Sequence, residues 1–538
     1  VYRAKRPWWE SGVIYQIYPR SFQDSNDDGI GDLEGIRRRL DYVASLGVDA
    51  IWLSPIFPSP MADFGYDVTD YCDVAAMFGN LAAFDALLAE VHRRGLKLLL
   101  DLVPNHSSTE HPWFVESRSS RDNPKRDWYF WRDQVAGPNG ERLPPNNWTS
   151  DMGGSAWEYD AATGQYYLHT FLKEQADLNW RNPEVRATMT EVLRFWFDRG
   201  IDGFRIDVLW HVIKAEDLRD NPLNPAFIPE MGEKLKVLQH HSAHQPEIHE
   251  VAAAFRRLAD DYGAKGQERL LVGEICLPLD QLMTYYGSPE APGVHLPFNF
   301  QLLDARWDAA TLAKIITDYE AALPPDGWPN WVLGSHDAPR VAGRLGEAQA
   351  RVAAMLLLTL RGTPTLYQGD ELGIGKVTIP PDRIRDPQDL RQPGLGLGRD
   401  GARTPMPWDG GAYAGFSSTE PWLPLNDDWR MRNVAAQESQ RNSMLQLYRR
   451  LLSLRHRHAA LSVGRFTLLP SDPDVLRYER SADAERLLIA LNLGTQPRRI
   501  RIPGGDRIAE PLISTIGSRP FDGGLVANEG LVLRMEPH

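Results

Sequence analysis

Cysteine is scarce in this chain: Cys72 and Cys276 are the only two in 538 residues. They stand far apart and in no metal-ligand spacing, which excludes a disulfide scaffold and a thiolate zinc site. Long apolar runs are missing too. The longest, Val352 to Leu360, is bounded by Arg351 and Arg361; it falls well short of the roughly 20 residues that cross a membrane and reads as a buried helix. Positive charge is not in excess, since 59 Lys and Arg against 72 Asp and Glu leave a net charge of −13. Such a surface offers no basic field to nucleic acid. The opening residues, Val1 to Trp9, contain no apolar signal region, so the expected location is cytoplasmic.

What is present is ordinary globular composition, 42% hydrophobic and 24% charged, with 17 Trp and 18 Tyr. Aromatic planes can stack on the apolar faces of sugar rings, although core packing accounts for most of them. Along the first two-thirds, short β-branched runs alternate with helical spacing, the pattern of parallel strands joined by crossover helices. Leu33, Ile36, Leu40, Val43 and Leu46 mark one helix face closed by Gly47, and Leu81 to Val91 marks another closed by Gly95. Strands are expected at Ile14 to Tyr18, Ala50 to Ile56, Leu96 to Val103, Gly203 to Val208, Leu270 to Ile275, Val294 to Phe300, Trp331 to Ser335 and Thr363 to Tyr367. Eight such units predict an α/β fold, a (β/α)8 barrel. Its first part would span 1–104 and its second 175–460, with a loop-rich inserted subdomain at 105–174 and a C-terminal β-sandwich at 461–538.

Three acids end predicted strands: Asp207 in GFRID, Glu274 in LLVGEI and Asp337 in LGSHD. A barrel brings its strand ends onto one rim, so residues 67 and 63 positions apart can meet there. Each acid alone could be a helix cap. Three at equivalent positions, flanked by Arg205 and His336, point instead to a catalytic cluster, and paired carboxylates are the apparatus of glycosidic cleavage. Arg205 precedes Asp207 by two residues, which puts both on one face of a strand and leads one to expect an ionised, oriented carboxylate at 207.

These residues resemble the α-amylase family of glycoside hydrolases, in its α-glucosidase and oligo-1,6-glucosidase branch. The resemblance runs over nearly the whole chain and rests on DLVPNH (Asp101 to His106), QADLN (Gln175 to Asn179), GFRID (Gly203 to Asp207), Glu274 and SHD (Ser335 to Asp337). It implies Asp207 as nucleophile, Glu274 as acid/base and Asp337 as the acid that holds sugar hydroxyls. It further implies that Asp63 and Tyr66 in DFGYD grip the terminal glucose, with Arg399 pairing across the pocket, Phe171 as an aromatic wall, and His106 and His336 donating to hydroxyls. Arg205 belongs to the same set. Two departures stand out: Ala176 where relatives often carry Pro, and Thr149 to Met152 beside the shared NNW and GGSAW segments.

Asp24, Asn26, Asp28 and Asp32, with the Ile30 carbonyl between them, set oxygens at alternating positions in DSNDDGIGD. That spacing suits half an EF-hand loop or a solvated acidic turn; the resemblance implies a structural calcium or magnesium ion, and no organic cofactor. The expected activity is retaining, exo-acting α-glucosidase action on short α-glucosides, with transfer to hydroxyl acceptors. Linkage signals conflict, since the segment from Val208 to about Glu250 resembles α-1,4-acting relatives whereas Val208 itself is typical of α-1,6-acting ones. The longer segment favours α-1,4. Sucrose isomerase- or trehalose synthase-type transfer shares the acid set, and a non-catalytic sugar-binding relative would lack it.

Overall fold

The computed structural model describes residues 6–470, 472–500, 502 and 507–536. Residues 1–5, at the start of the stretch read for a signal region, lie outside them. Eight strands form one parallel sheet: β1 Ile14–Ile17, β2 Ala50–Leu53, β3 Lys97–Leu102, β4 Gly203–Ile206, β5 Leu270–Gly273, β6 Leu296–Pro297, β7 Asn330–Val332 and β8 Thr363–Tyr367. Their spatial order is β6-β5-β4-β3-β2-β1-β8-β7. With helices between them, this is a (β/α)8 barrel. The ladders stop short of several apolar runs, at Leu53, Ile206, Gly273 and Val332, because the last residues of each run leave the sheet to build the rim.

Strand alternation splits the apolar residues in two. Ile14, Ala50, Trp52, Leu99, Leu270, Val272, Leu296 and Phe298 form a cluster of their own inside the barrel. Their neighbours Tyr15, Ile17, Ile51, Leu53, Leu98, Leu100, Phe204 and Leu271 join the larger core under the helices. On the inner face, polar side chains replace apolar ones toward the C-terminal rim: Gln16, Asp101 and Arg205 are all buried there. The barrel therefore carries its charges where its strands end.

Helix Leu81–Arg93 starts on an Asn80 cap, and Glu347–Thr359 contains most of the long apolar run, buried as expected. The face from Leu33 to Leu46 is not one helix. It breaks at Arg39 into Leu33–Arg38 and Leu40–Leu46, and Gly47 closes the second in the left-handed region at φ 89°. At the break, the Arg39 guanidinium reaches Gln23 Oε1 at 2.6 Å and lies 4.2 Å from the Trp408 ring centre.

His106–Ser108 pairs antiparallel with Gln175–Asp177, closing the neck of the long excursion between β3 and β4. That excursion carries a three-stranded sheet of Trp131–Arg132, Gln165–Leu168 and Trp157–Asp160. After helix Met444–Arg457 and a short helical turn, five antiparallel strands between Arg465 and Met535 form one sheet, and Arg498–Arg499 pairs with Gly524–Leu525 in another. Among the described residues, no helix is long and apolar enough to cross a membrane.

Gly203 opens β4 so close to β5 that a Cβ would lie 2.2 Å from the Leu270 carbonyl oxygen. Backbone cannot yield as a flexible side chain can. Gly203→Ala is expected to lose about 1–3 kcal/mol of stability or more, read as a lower urea midpoint; an unchanged midpoint would show that the two strands can part at this level.

Candidate active site

Parallel register sets the centre of the site. In the β3–β4 ladder Arg205 stands opposite Asp101, and in the β4–β5 ladder Ile206 stands opposite Gly273. The next residues on β4 and β5 are Asp207 and Glu274, which therefore reach the rim side by side. Arg205 Nη1 contacts Asp101 Oδ1 at 2.8 Å and Asp207 Oδ1 at 2.7 Å, while Nη2 contacts Glu274 Oε2 at 2.7 Å. One buried guanidinium thus serves three carboxylates. Trp52 Nε1 and the Tyr66 hydroxyl donate to Asp101 Oδ2 at 3.2 and 3.1 Å.

Immediately after Asp207, Val208 adopts φ 35° and ψ 46°. A β-branched residue in this left-handed region is strained. The turn points the Val208 N–H at Glu274 Oε2, 2.9 Å away, so the strain fixes one carboxylate relative to the other.

Burial drives the Asp207 pKa well above the usual range. Arg205 opposes the rise, and the charges of Glu274 and Asp101 reinforce it. Asp101 is pushed up to about 7 by burial against the pull of Arg205. Arg205 is expected to keep Asp207 ionised and oriented; it holds that carboxylate at 2.7 Å and lowers its proton affinity, while burial and two further acids on the same cation work against it.

The opposite regime holds around Asp337. Arg403 Nη2 lies 2.6 Å and Arg399 Nη1 3.4 Å from its Oδ1, and His336 Nε2 is 3.2 Å from Oδ2. Burial would raise this acid, but the charges of Arg403 and Arg399, with the His336 ring against its other oxygen, hold it well below the usual carboxylate range. His336 is driven down to about 3, first by burial, and is neutral. Gln16 Nε2 donates to its Nδ1 at 2.8 Å, which places the ring proton on Nε2, toward Asp337 and the Tyr66 hydroxyl at 2.7 Å. Tyr66 also stacks on His336, with ring centres 5.6 Å apart and planes within 5°.

Arg399 closes one end of the site. Its Nη2 bonds Asp63 Oδ1 at 2.9 Å and Asp386 Oδ1 at 2.7 Å. Asp63 sits in a bend with Met61 and Phe64 at positive φ, held by Asp67, whose carboxylate accepts the Ala62 and Asp63 N–H groups. His106 lies beside this end, 3.1 Å from the Gln175 amide, and its ring centre is 5.2 Å from that of Phe171. Burial lowers its pKa to about 4.

All ten expected residues of the acid cluster and pocket therefore belong to one connected region. Sequence reasoning passed over Asp67, Asp101, Asp386 and Arg403. Asp101 and Asp67 lay inside quoted motifs, Arg403 stands four residues after Arg399, and the register argument that pairs Asp101 with Arg205 was open to use. Asp386 carried no comparable signal.

The DSNDDGIGD loop is tied elsewhere. Asp24 accepts the Asn26, Asp27 and Gly29 N–H groups and the Ser417 hydroxyl. Asn26 accepts from Asp28 N and Asp28 from Ile30 N, so the turn is ordered by its own side chains. Asp32 caps helix Leu33–Arg38 through Gly35 N at 2.7 Å and binds Ser25. Among the described residues, no group of three or more His, Cys, Asp or Glu side chains gathers on one point as a metal cage. The donors here also include an amide and a carbonyl, and hard oxygens of this kind match calcium or magnesium in chemistry.

Fold and rim together define a (β/α)8 barrel with carboxylates and arginines gathered at the C-terminal ends of its strands. The alpha-amylase catalytic domain matches residues 16–464. An oligo-1,6-glucosidase of Parageobacillus thermoglucosidasius is 39% identical over 536 residues, 93% of this chain and 92% of that one. A probable alpha-glucosidase of Rhizobium meliloti is 42% identical over 517 residues, 93% and 91% of the two chains. Among solved structures, the alpha-glucosyl transfer enzyme XgtA aligns with TM-score 0.92 at 39% identity, covering 99% of this chain and all (100%) of that one. Trehalulose synthase MutB from Pseudomonas mesoacidophila aligns with TM-score 0.89 at 36% identity, over 99% and 100%. The chain belongs to the alpha-amylase family and is a glycoside hydrolase.

Replacing Asp101 by Asn removes one of three negative charges from a shared cation. The remaining acids then release protons more readily, so both limbs of the bell-shaped pH profile of kcat/KM should move down by roughly one unit. A profile unmoved, or moved upward, would show that Asp101 is not coupled to the other two acids.

Proposed function

We propose that the protein is a retaining, exo-acting α-glucosidase that releases glucose from the non-reducing end of short α-glucosides. The observation that carries this reading is the placement of Asp207 and Glu274 on adjoining nitrogens of Arg205, a spacing that favours the close carboxylate pair of retaining enzymes over the wider inverting one. Asp207 attacks the anomeric carbon as the bond to the leaving oxygen breaks, and Glu274 gives that oxygen its proton. The product is a glucosyl ester on Asp207. Glu274, now a base, takes a proton from water, whose oxygen opens the ester and restores the α configuration. Asp337, held ionised by two arginines, accepts sugar hydroxyls beside the developing positive charge, and neutral His336 donates to one. A sugar or alcohol hydroxyl can replace water, which yields transfer products.

Exo action follows from the Asp63–Arg399–Asp386 closure, with Tyr66 as the stacking plane and Phe171 and His106 beside it. The longer segment after β4 favours α-1,4 links. A second reading, oligo-1,6-glucosidase, is supported by Val208 beside Asp207 and by the activity named for the Parageobacillus relative. Initial rates on maltose, isomaltose, sucrose and starch separate these outcomes. Fast glucose release from maltose with little attack on starch is expected; faster cleavage of isomaltose would install the second reading, and long fragments from starch would contradict a closed pocket. Asp207→Asn and Glu274→Gln should keep native circular dichroism and lose several orders of magnitude in turnover, so a tenth of the original turnover in either would remove its assigned role.

The same reading places a structural calcium or magnesium ion in the loop of Asp24, Asn26, Asp28, Ile30 and Asp32, where it would supply charge neutralisation to a turn rich in carboxylates. Chelation is then expected to lower Tm more than activity at low temperature. Loss of activity at unchanged Tm would contradict a structural role.

A further inference from the structure

Helix Met444–Arg457 presents a second charged feature on its outer side. Between this helix and the C-terminal β region lies a groove of about 260 Å³, lined by Arg449, Arg450, Ser453 and Arg457 from the helix and by Ser514 and Ser518 from the segment facing it. Positions 449, 450, 453 and 457 share one helix face, so the cations are gathered by the periodicity of the helix. Arg441 and Arg351 flank Arg450 closely enough for their charges to act on one another.

Counter-charge is short. Glu438 takes Arg449 Nη2 at 2.9 Å, and Glu347, which faces Arg351, is bonded to Arg432 at 2.8 Å. Among the described residues, no carboxylate lies within ion-pair distance of Arg450 or Arg457. The Arg450 Nε and Arg457 Nε groups donate only to the helix carbonyls of Gln446 and Ser453. Arg450 Nη2 and Arg449 Nε are shielded from solvent and have no hydrogen-bond partner. The guanidiniums of Arg450 and Arg457 line the groove together with Ser453 and Ser518, and cations with hydroxyls beside them match an oxyanion that accepts several hydrogen bonds at once.

We propose that this groove binds a phosphate group, either as free orthophosphate or as the phosphate monoester of a small sugar. Arg450 and Arg457 are its charge-bearing anchors, and Ser453 and Ser518 supply neutral donors, while the Ser514 hydroxyl is already given to Glu529 at 2.8 Å. The groove exceeds a bare ion in volume, which leaves room for the body of a monosaccharide. It is formed by an outer helix and the C-terminal region and shares no residue with the acid cluster, so occupancy there is independent of the α-glucosidase reading.

Isothermal titration of the full chain at low ionic strength tests the proposal, with orthophosphate, glucose 6-phosphate, glucose and matched sodium chloride as titrants. Binding of the phosphate-bearing titrants beyond that of glucose or chloride is expected. Tighter binding of the ester than of orthophosphate would assign the site to a sugar phosphate, and equal binding would assign it to the free ion. Arg450→Gln should weaken either by about tenfold or more without changing the rate of glucoside hydrolysis. Arg457 is exposed, so Arg457→Gln offers the same comparison without touching a packed side chain. No heat from either phosphate titrant in the millimolar range, or unchanged affinity in both variants, would overturn the proposal.

Discussion

The site depends on one buried cation shared by too many anions. Arg205 is 3% exposed at its side chain and touches Asp101, Asp207 and Glu274, so the cluster carries three carboxylates against one guanidinium. Were all ionised, two negative charges would stand uncompensated in a low-dielectric interior, an arrangement that costs several kcal/mol per unpaired ion. Proton retention relieves it, and the raised affinities of Asp101 and Asp207 express that relief. In the proposed reaction Arg205 keeps Asp207 and Glu274 in place while the proton moves.

The outer end of the pocket solves the reverse problem. Arg399 and Arg403 stand against Asp63, Asp337 and Asp386, with His336 neutral between the two zones. Here cations nearly match anions, and Asp337 stays ionised. Carboxylates in one pocket are therefore driven apart in proton affinity by burial set against the cations around each, upward at Asp207 and downward at Asp337, which is the usual means of running acid and base roles at a single pH. The strained Val208 turn and the Asp67-braced bend around Asp63 are the local backbone costs of holding these side chains at the rim.

Much of this was legible in the sequence because strand-end acids have few reasons to sit where they do. GFRID, LLVGEI and LGSHD announced Asp207, Glu274 and Asp337, and the alternation of apolar runs announced the barrel that joins them. The helix break at Arg39 was hidden, since the apolar spacing continues through it and only the tertiary partners Gln23 and Trp408 reveal a reason. Asp101 was within reach through register but reads as one more residue in a buried strand. Asp386 was out of reach, because its meaning comes from Arg399 folding back upon it across a loop. The load on Arg205 is a related case: spacing shows that it lies near Asp207, and only the three-dimensional structure shows how many acids divide it.

The central claim is that Asp207 and Glu274 act on opposite sides of one glucosyl carbon through a covalent intermediate. Proton NMR of the first minutes of glucoside cleavage tests it most directly, because glucose is observed before mutarotation scrambles its anomers. Two successive inversions predict α-glucose first. First appearance of β-glucose would mean direct attack by water, and the assignment of Asp207 as nucleophile would be withdrawn.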